Sequence, residues 1–229
     1  SVSFYGALAK LPLSHYLLSF GPRLLREFCM LSTVSVRSTH ELEYIKAVAP
    51  QASIVVNPIA MTLSDGDVVK PETELPAGFA LFVGNVAAER KNVYRLIEAC
   101  ERVGMPLVLG GIEVESPEMQ RIEALIQSCK ISVIRLGFIK ESELRWLYQN
   151  CKVFCLPSLV EGVGQVAMEA LYFKAPVVIT SVGGPPDYFA DFVEYVDPLS
   201  VEAISAGIKK IKYGNLDQDR LSTHLEGYS

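Results

Sequence analysis

One stretch between positions 153 and 173 limits the fold more than any other part of the chain. Val153–Leu156 is a short apolar run typical of a buried strand, and the residues after Gly164 have apolar side chains at helical spacing. Gly162 and Gly164 lie between the two. The predicted order is therefore strand, glycine turn and helix, which is the repeating unit of a parallel α/β sheet.

The same stretch indicates a ligand. A helix that begins after a glycine turn presents free backbone N–H groups and the positive end of its dipole, which suit a phosphate. Glu161 precedes the turn and Glu169 lies early in the helix. Two carboxylates repel a phosphate unless they bind an uncharged group beside it, and sugar hydroxyls meet that requirement. The alternative is an ordinary turn with two solvated glutamates.

Residues 157–170 resemble the donor-site motif of retaining glycosyltransferases of the GT-B fold, family 4, also described as glycosyl transferases group 1. That motif holds two glutamates eight positions apart, as Glu161 and Glu169 are here. The resemblance covers residues 33–229, that is, the C-terminal donor-binding domain and the end of the N-terminal domain. Three further segments carry it: Ala175–Ser181, Gly183–Asp187 (where the family usually ends in Glu) and Val196–Pro198.

Strand and helix patterns alternate regularly from Gly78 onwards. Nearly continuous apolar strands predict a parallel sheet with helices on both faces, and ligands bind at the carboxyl ends of such strands. The fold class is therefore α/β with a Rossmann-like sheet, which the resemblance identifies as the GT-B C-terminal domain. The predicted strands are 79–83, 106–109, 131–136, 152–156, 176–180 and 193–196, and the predicted helices are 93–103, 117–129, 141–150, 165–173 and 201–212.

We divide the chain into four parts. Residues 1–60 resemble a remnant of the N-terminal, acceptor-side domain, with Ser38 capping a helix between two short strands. Residues 61–77 are polar and contain prolines, as linkers do. Residues 78–214 form the nucleotide-sugar-binding domain, and residues 215–229 a truncated C-terminal helix. We expect a fragment of a longer protein, and a genuinely small protein is the alternative.

The segment that follows a second glycine turn carries positive charge. Gly84 and Asn85 follow an apolar strand, and Arg90 and Lys91 lie at the start of the next helix. The helix dipole disfavours cations there, so a bound diphosphate is indicated, with two solvated cations as the alternative. The resemblance implies that Lys91 meets the donor diphosphate. Many family members have Arg at the Asn85 position, and Arg90 is a candidate to replace that contact.

The resemblance also assigns roles to individual residues. Backbone groups of Gly137, Phe138 and Ile139 would contact the nucleotide base, although an ordinary strand–helix turn explains that loop equally well. Glu161 and Lys91 would be catalytic, and Glu169 would bind the ribose. The full donor-binding set is Gly84, Asn85, Arg90, Lys91, Gly137, Phe138, Ile139, Gly162, Val163, Gly164, Gln165, Val166 and Glu169.

The amino-acid composition and charge limit the classes of partner that the protein can bind. Half the residues are hydrophobic and the net charge is -5, which indicates a globular protein and argues against nucleic acid as the main partner. Residues 1–30 are apolar but interrupted by Lys10 and Pro12, too often for a membrane span. An amphipathic core helix and a membrane-surface helix both fit this segment. We expect a cytoplasmic protein, with residues 1–30 as the candidate for peripheral membrane contact.

No metal or other cofactor is predicted. The five cysteines form no Cys-x-x-Cys pair and fit reduced, buried thiols. The three histidines are far apart and have no cysteine nearby. Charge on the donor should therefore be balanced by lysine, arginine and helix dipoles.

The resulting hypothesis is transfer of a sugar, with retention, from a nucleoside diphosphate sugar to a glycan or lipid-linked acceptor. Residues 84–92 look closest to mannosyltransferase-like members, which favours GDP-mannose over a UDP-sugar. The acceptor site should lie in an N-terminal domain or a partner subunit, so this chain alone is expected to bind donor rather than complete the reaction. The alternatives are a non-catalytic nucleotide-sugar-binding subunit and a GT-B-fold sugar-nucleotide epimerase. A dinucleotide-dependent dehydrogenase is disfavoured, because no Gly-x-Gly-x-x-Gly follows the first strand.

Overall fold

The computed structural model describes residues 33–59, 66–210 and 218–226. The chain forms two compact units that divide between Ile59 and Ala60. No helix among the described residues is both long and apolar enough to cross a membrane. Residues 1–30, for which a core helix and a membrane-surface helix were both considered, lie outside the described residues.

In its described residues, 33–59, the first unit contains a parallel pair of strands and one helix. Its elements are β1 (Val34–Val36), α1 (Thr39–Val48) and β2 (Ile54–Val56). The Ser38 hydroxyl accepts a hydrogen bond from the Glu41 amide at 3.2 Å, so the predicted helix cap is present. Val36, Ile45 and Ala49 form the buried core of this unit.

The second unit is a six-stranded parallel sheet with helices between the strands. Its elements are β3 (Ala80–Val83), α2 (Val93–Val103), β4 (Leu107–Gly110), α3 (Pro117–Ser128), β5 (Val133–Gly137), α4 (Glu141–Asn150), β6 (Val153–Leu156), α5 (Gln165–Tyr172), β7 (Val177–Thr180), α6 (Pro185–Phe189), β8 (Glu194–Val196), α7 (Val201–Lys210) and α8 (Gln218–Glu226).

The strand order makes β3 and β6 neighbours at the centre of the sheet. The order is β5-β4-β3-β6-β7-β8, so the chain moves outwards from β3 in one direction and from β6 in the other. Right-handed crossovers then put α2 and α3 on one face and α4 and α5 on the opposite face. Accordingly, α2 packs beside α3 and α7, while α4 packs beside α5. The neighbouring ends of β3 and β6 form a topological switch point, where α/β sheets bind ligands.

Burial follows the same plan. Every residue of β3, β4, β6 and β7 is buried, because helices cover both faces of these central strands. The edge strands β5 and β8 are only partly covered. Cys100, Cys151 and Cys155 are buried free thiols, and Cys129 is a half-buried one. The fold class predicted from the sequence is confirmed.

Three local features differ from the prediction or extend it. Arg90 and Lys91 do not begin the helix but belong to a short 3₁₀ turn before it, because Asn92 adopts a left-handed conformation and interrupts the helical path. The five-residue helix α6 after β7 was not predicted, since it is too short to show a periodic pattern. Lys174, just after α5, has φ 67°, a left-handed conformation that costs a residue other than glycine on the order of 1 kcal/mol.

Candidate functional site

The loop after β6 holds Glu161 by its backbone. The Glu161 amide donates to the Val182 carbonyl, and the Gly184 amide donates to the Glu161 carbonyl, each at 3.0 Å. Glu161 and Gly183 therefore form a short parallel bridge beyond the ends of β6 and β7. Gly183 has φ +106°, and a Cβ there would lie 2.0 Å from the Glu161 carbonyl oxygen. Only glycine permits this contact, so the turn after β7 fixes the backbone of Glu161.

The loop after β3 is held by the side chain of Asn92. Its side-chain amide donates to the carbonyls of Pro157, at 2.9 Å, and Pro198, at 2.7 Å. Asn92 is buried, and its φ of 59° reverses the chain between the 3₁₀ turn over Glu89–Lys91 and α2. One side chain thus joins the start of α2 to the loops that follow β6 and β8.

These two loops bring opposite charges together. Lys91 Nζ donates to Glu161 Oε2 at 2.7 Å, and both side chains are only 10% exposed. The Ser158 hydroxyl donates to the same oxygen at 3.0 Å. The Arg90 guanidinium lies 3.7 Å from the other carboxylate oxygen, Oε1, and the Arg90 carbonyl accepts from the Leu159 amide at 2.8 Å. One carboxylate therefore faces two cations at the switch point.

Burial is the largest influence on the pKa of Lys91. Removal from water lowers the pKa of Lys91, and repulsion by Arg90 lowers it further, while attraction to Glu161 opposes both effects. The ammonium group is thus held in a place where its charge is under-solvated. An anion that approached Lys91 would supply the missing solvation.

The glycine turn before α5 leaves amide donors near this pair. Gly164 has φ +86°, a left-handed conformation that turns the chain into the helix, and it offers no side chain to cap the helix. Its carbonyl accepts from the amides of Ala167 and Met168. The amides of Gln165 and Val166 belong to the first turn, which has no acceptor within the helix. They and the helix dipole favour an anion at this position.

Glu169 lies further along α5 and has a different partner. The hydroxyl of Tyr148, from α4, donates to Glu169 Oε2 at 3.1 Å. Burial raises the pKa of the half-buried Glu169, and the nearby Glu141 raises it further, whereas the hydrogen bond from Tyr148 lowers it. Glu169 is therefore a carboxylate kept in an environment that disfavours its charge.

The loops after β3, β4 and β5 are joined by backbone hydrogen bonds. The Gly84 amide donates to the Gly110 carbonyl at 2.9 Å, and the Gly111 amide donates to the Gly137 carbonyl at 2.7 Å. The predicted base-contacting loop is thus connected, through β4, to the glycine turn that precedes Lys91. Backbone hydrogen bonds therefore connect the ends of three neighbouring strands.

Two of the predicted donor-binding residues are exposed at this edge. Phe138 is 89% exposed, and the Asn85 side-chain oxygen accepts from the Ala87 amide rather than from a charged group. Ile139 extends to the space beside Gly110, where an added Cβ would lie 2.1 Å from its Cδ1. The assignment of these residues to a nucleotide stays a prediction.

The structure brings together only part of the predicted site. Lys91, Arg90 and Glu161 meet directly, with Gly162–Val166 adjoining them in the chain, whereas Glu169 contacts α4. Sequence reasoning did not assign roles to Ser158, Asn92, Gly183 or Tyr148. Ser158, Asn92 and Gly183 stand inside the motifs that carry the resemblance, which was the available signal; Tyr148 has no such signal.

The described residues contain no group of three or more His, Cys, Asp or Glu side chains arranged to hold a metal ion. The sequence has two Asp-x-Asp spacings: Asp65 with Asp67 before β3, and Asp217 with Asp219, of which Asp217 lies outside the described residues. Asp65 lies outside the described residues, and the carbonyl of Asp67 accepts from the Arg145 guanidinium at 3.4 Å. Metal independence therefore stays a prediction.

Comparison with known proteins gives three consistent findings. The model of the family described as glycosyl transferases group 1 matches residues 69–224. The chain is 32% identical over 140 residues to O-antigen chain mannosyltransferase B of Escherichia coli, covering 57% of this chain and 36% of that protein. It is 28% identical over 151 residues to the serotype-specific mannosyltransferase WbdA of the same organism, covering 62% of this chain and 18% of that protein.

The fold has a solved counterpart as well. The structure of sucrose-phosphate synthase from Thermosynechococcus elongatus superimposes with a TM-score of 0.72 at 21% sequence identity. That comparison covers 90% of this chain and 57% of the synthase. The match shows a common fold, and the chain spans about a third or less of the length of the two mannosyltransferases.

Proposed function

Because the chain belongs to the glycosyl transferases group 1 family, we propose that it is the donor-binding part of a retaining glycosyltransferase that uses a nucleoside diphosphate sugar. The observation that supports this most strongly is the buried contact of Lys91 with Glu161 at the switch point of the sheet. We assign the cation of this pair to a phosphate of the donor and the carboxylate to the hydroxyls of the donor sugar.

In this proposal the diphosphate binds between the two glycine turns. Lys91 and Arg90 contact its oxygens from the side of β3, and the amides of Gln165 and Val166 contact them from the start of α5. When the bond between sugar and diphosphate breaks, negative charge grows on the leaving diphosphate. Fixed positive charge at this place stabilises that transition state more than the ground state.

Glu161 has two functions in this proposal. Before donor binding it balances the charge of Lys91, and the Ser158 hydroxyl keeps its orientation. After binding, the phosphates take over as the anionic partner of Lys91, and Glu161 accepts hydrogen bonds from the hydroxyls of the donor sugar. The carboxylate also lies beside the anomeric carbon, where positive charge develops as the leaving group departs.

The nucleoside part of the donor extends towards α4. Glu169 accepts hydrogen bonds from the ribose hydroxyls, and the backbone of the Gly137–Ile139 loop contacts the base. We propose GDP-mannose as the donor, because two of the relatives are named mannosyltransferases. A glycan or lipid-linked acceptor would bind to an acceptor-side domain or to a partner subunit. No metal is required in this scheme.

A thermal-shift panel tests this proposal. GDP-mannose, GDP, UDP-glucose and UDP are each added to the chain with and without EDTA. We expect the GDP ligands to raise the melting temperature most, with no effect of EDTA, since a ligand at ~100 times its Kd adds about 2.7 kcal/mol of stability. A preference for UDP ligands would contradict the choice of donor, and a loss of binding with EDTA would contradict metal independence. If none of the four stabilised the chain, the donor-site proposal would be wrong.

A further inference from the structure

Tyr148 makes a contact that the proposed chemistry does not use. Tyr148 lies on α4 and is fully buried. Its hydroxyl donates a hydrogen bond to Oε2 of Glu169, which lies on α5, at 3.1 Å. A buried tyrosine hydroxyl needs an acceptor, and here the acceptor is the side chain assigned to the ribose.

The ring that carries this hydroxyl is firmly packed. It meets Phe154 of β6 edge to face, with ring centroids 5.6 Å apart, and stacks on Phe173, at 6.1 Å and an interplanar angle of 13°. The Cys151 thiol donates to the Tyr148 carbonyl at 3.4 Å. These contacts come from the sheet, from the end of α5 and from the end of α4. The position of the hydroxyl is therefore determined by the core and not by the carboxylate.

The hydrogen bond uses only one oxygen of Glu169. Among the described residues, no side chain or backbone group donates to Oε1 of Glu169. Rotation of a carboxylate about its last bond is normally broad, and a hydrogen bond to a rigid donor removes that freedom. Oε1 is then presented in one orientation, with its acceptor sites available.

We propose that Tyr148 is a positioning residue, which holds the Glu169 carboxylate in the orientation that accepts the ribose hydroxyls of the donor. This inference rests on the proposed function of the site. Tyr148 does not itself touch the ligand. Its effect on binding is transmitted entirely through Glu169.

The surroundings of Glu169 give the proposal a dependence on pH. Glu141, from α4, faces Glu169 and repels its charge, and the Arg145 guanidinium pairs with Glu141 at 2.8 Å. The Tyr148 hydrogen bond stabilises the ionised form of Glu169. Without that bond the carboxylate should take up a proton at higher pH, and a protonated carboxyl is a poorer acceptor for hydroxyls.

The test compares two ligands and two tyrosine variants by calorimetry. The ligands are GDP and its 2′,3′-dideoxy analogue, or the UDP pair if UDP binds more tightly. The variants are Tyr148→Phe and, as a matched control, Tyr195→Phe, whose hydroxyl donates to the Pro185 carbonyl and not to Glu169. Each ligand is titrated into the parent chain, both variants, Glu169→Gln and the Tyr148→Phe/Glu169→Gln double variant, across a range of pH.

We expect Tyr148→Phe to weaken GDP about three- to tenfold, the usual effect of one hydrogen bond. The same variant should leave the dideoxy analogue unchanged, should have no further effect in the Glu169→Gln background, and should shift the acid limb of GDP binding to higher pH. Tyr195→Phe should match the parent chain in every titration.

Two results would overturn the inference, and they are distinguishable. Equal losses for GDP and its dideoxy analogue in Tyr148→Phe would mean that the tyrosine is only structural. If the parent chain itself bound the two ligands equally, Glu169 would not contact the ribose, and that part of the proposed function would fail together with the inference.

Discussion

Removing Glu161 should destabilise the protein far more than removing Lys91, although the two residues form one ion pair. Glu161→Gln leaves Lys91 buried beside Arg90, and no other acidic side chain of the described residues forms an ion pair with either cation. Lys91→Met instead leaves Glu161 with two of its partners, the Ser158 hydroxyl at 3.0 Å and Arg90 at 3.7 Å. The structure therefore predicts a larger loss of folding stability for Glu161→Gln than for Lys91→Met.

The magnitudes follow from burial. Both charged side chains of the pair are 10% exposed, so solvent screens them little. Breaking a buried pair so that charge is left uncompensated costs about 3–5 kcal/mol, which we expect for Glu161→Gln. Losing one hydrogen bond to a charged group costs about 1.5–3 kcal/mol, which we expect for Lys91→Met. Urea unfolding of both variants, monitored by circular dichroism, measures the two values.

A bound nucleoside diphosphate should reverse part of this cost. Its phosphates replace the missing carboxylate beside Lys91, so GDP should stabilise Glu161→Gln more than it stabilises the parent chain. GDP should stabilise Lys91→Met less than it stabilises the parent chain or Glu161→Gln. As a control, Glu202→Gln removes a surface ion pair with Arg102 and should change neither stability nor the response to GDP.

Equal stabilities of Glu161→Gln and Lys91→Met would refute this reasoning, because they would show that Arg90 and Ser158 do not support the carboxylate. A Glu161→Gln variant as stable as the parent chain would show that the pair is solvated. A loss of GDP stabilisation in Glu161→Gln would show that the carboxylate, and not the cation, attracts the nucleotide.

Two further predictions concern neighbouring residues. Burial raises the pKa of Glu169 in the folded protein above its pKa in the unfolded chain. The contribution of Glu169 to folding stability is therefore complete below the unfolded-state pKa, and it is lost as pH rises through the folded-state pKa. Glu169→Gln should therefore raise the melting temperature at neutral pH but not near about pH 4, while weakening GDP, and calorimetry at both pH values checks this. Asn92→Ala leaves the carbonyls of Pro157 and Pro198 without their donor and should cost about 2–4 kcal/mol in urea unfolding. A cost below that of a surface substitution, about 0.5 kcal/mol, would mean that water replaces both bonds.

The helices and strands of both units were predictable because their signals are local. Strand and helix patterns, glycine turns and the Ser38 cap depend on residues near one another in the chain, and each appears in the structure close to its predicted limits. The short helix α6 was missed because five residues cannot show a helical period.

The strand order was not predictable in the same way. Nothing local in the sequence indicates that β6 inserts beside β3, with β4 and β5 on the other side. That order creates the switch point, and it is the reason that residues 70 positions apart, Lys91 and Glu161, form an ion pair. The sequence assigned these two residues to different parts of a donor and gave no sign that they contact each other. The Tyr148–Glu169 hydrogen bond depends in the same way on how α4 packs beside α5.

The most direct test of the donor site is the affinity gained from one phosphate. GDP and GMP, with UDP and UMP as a second pair, are titrated by calorimetry into the parent chain and into Lys91→Met. We expect the diphosphate of the preferred base to bind at least about tenfold more tightly than its monophosphate, a difference of about 1.4 kcal/mol, and we expect Lys91→Met to lose that advantage. Equal affinity of the parent chain for monophosphates and diphosphates would contradict a diphosphate site at Lys91 and with it the proposed function.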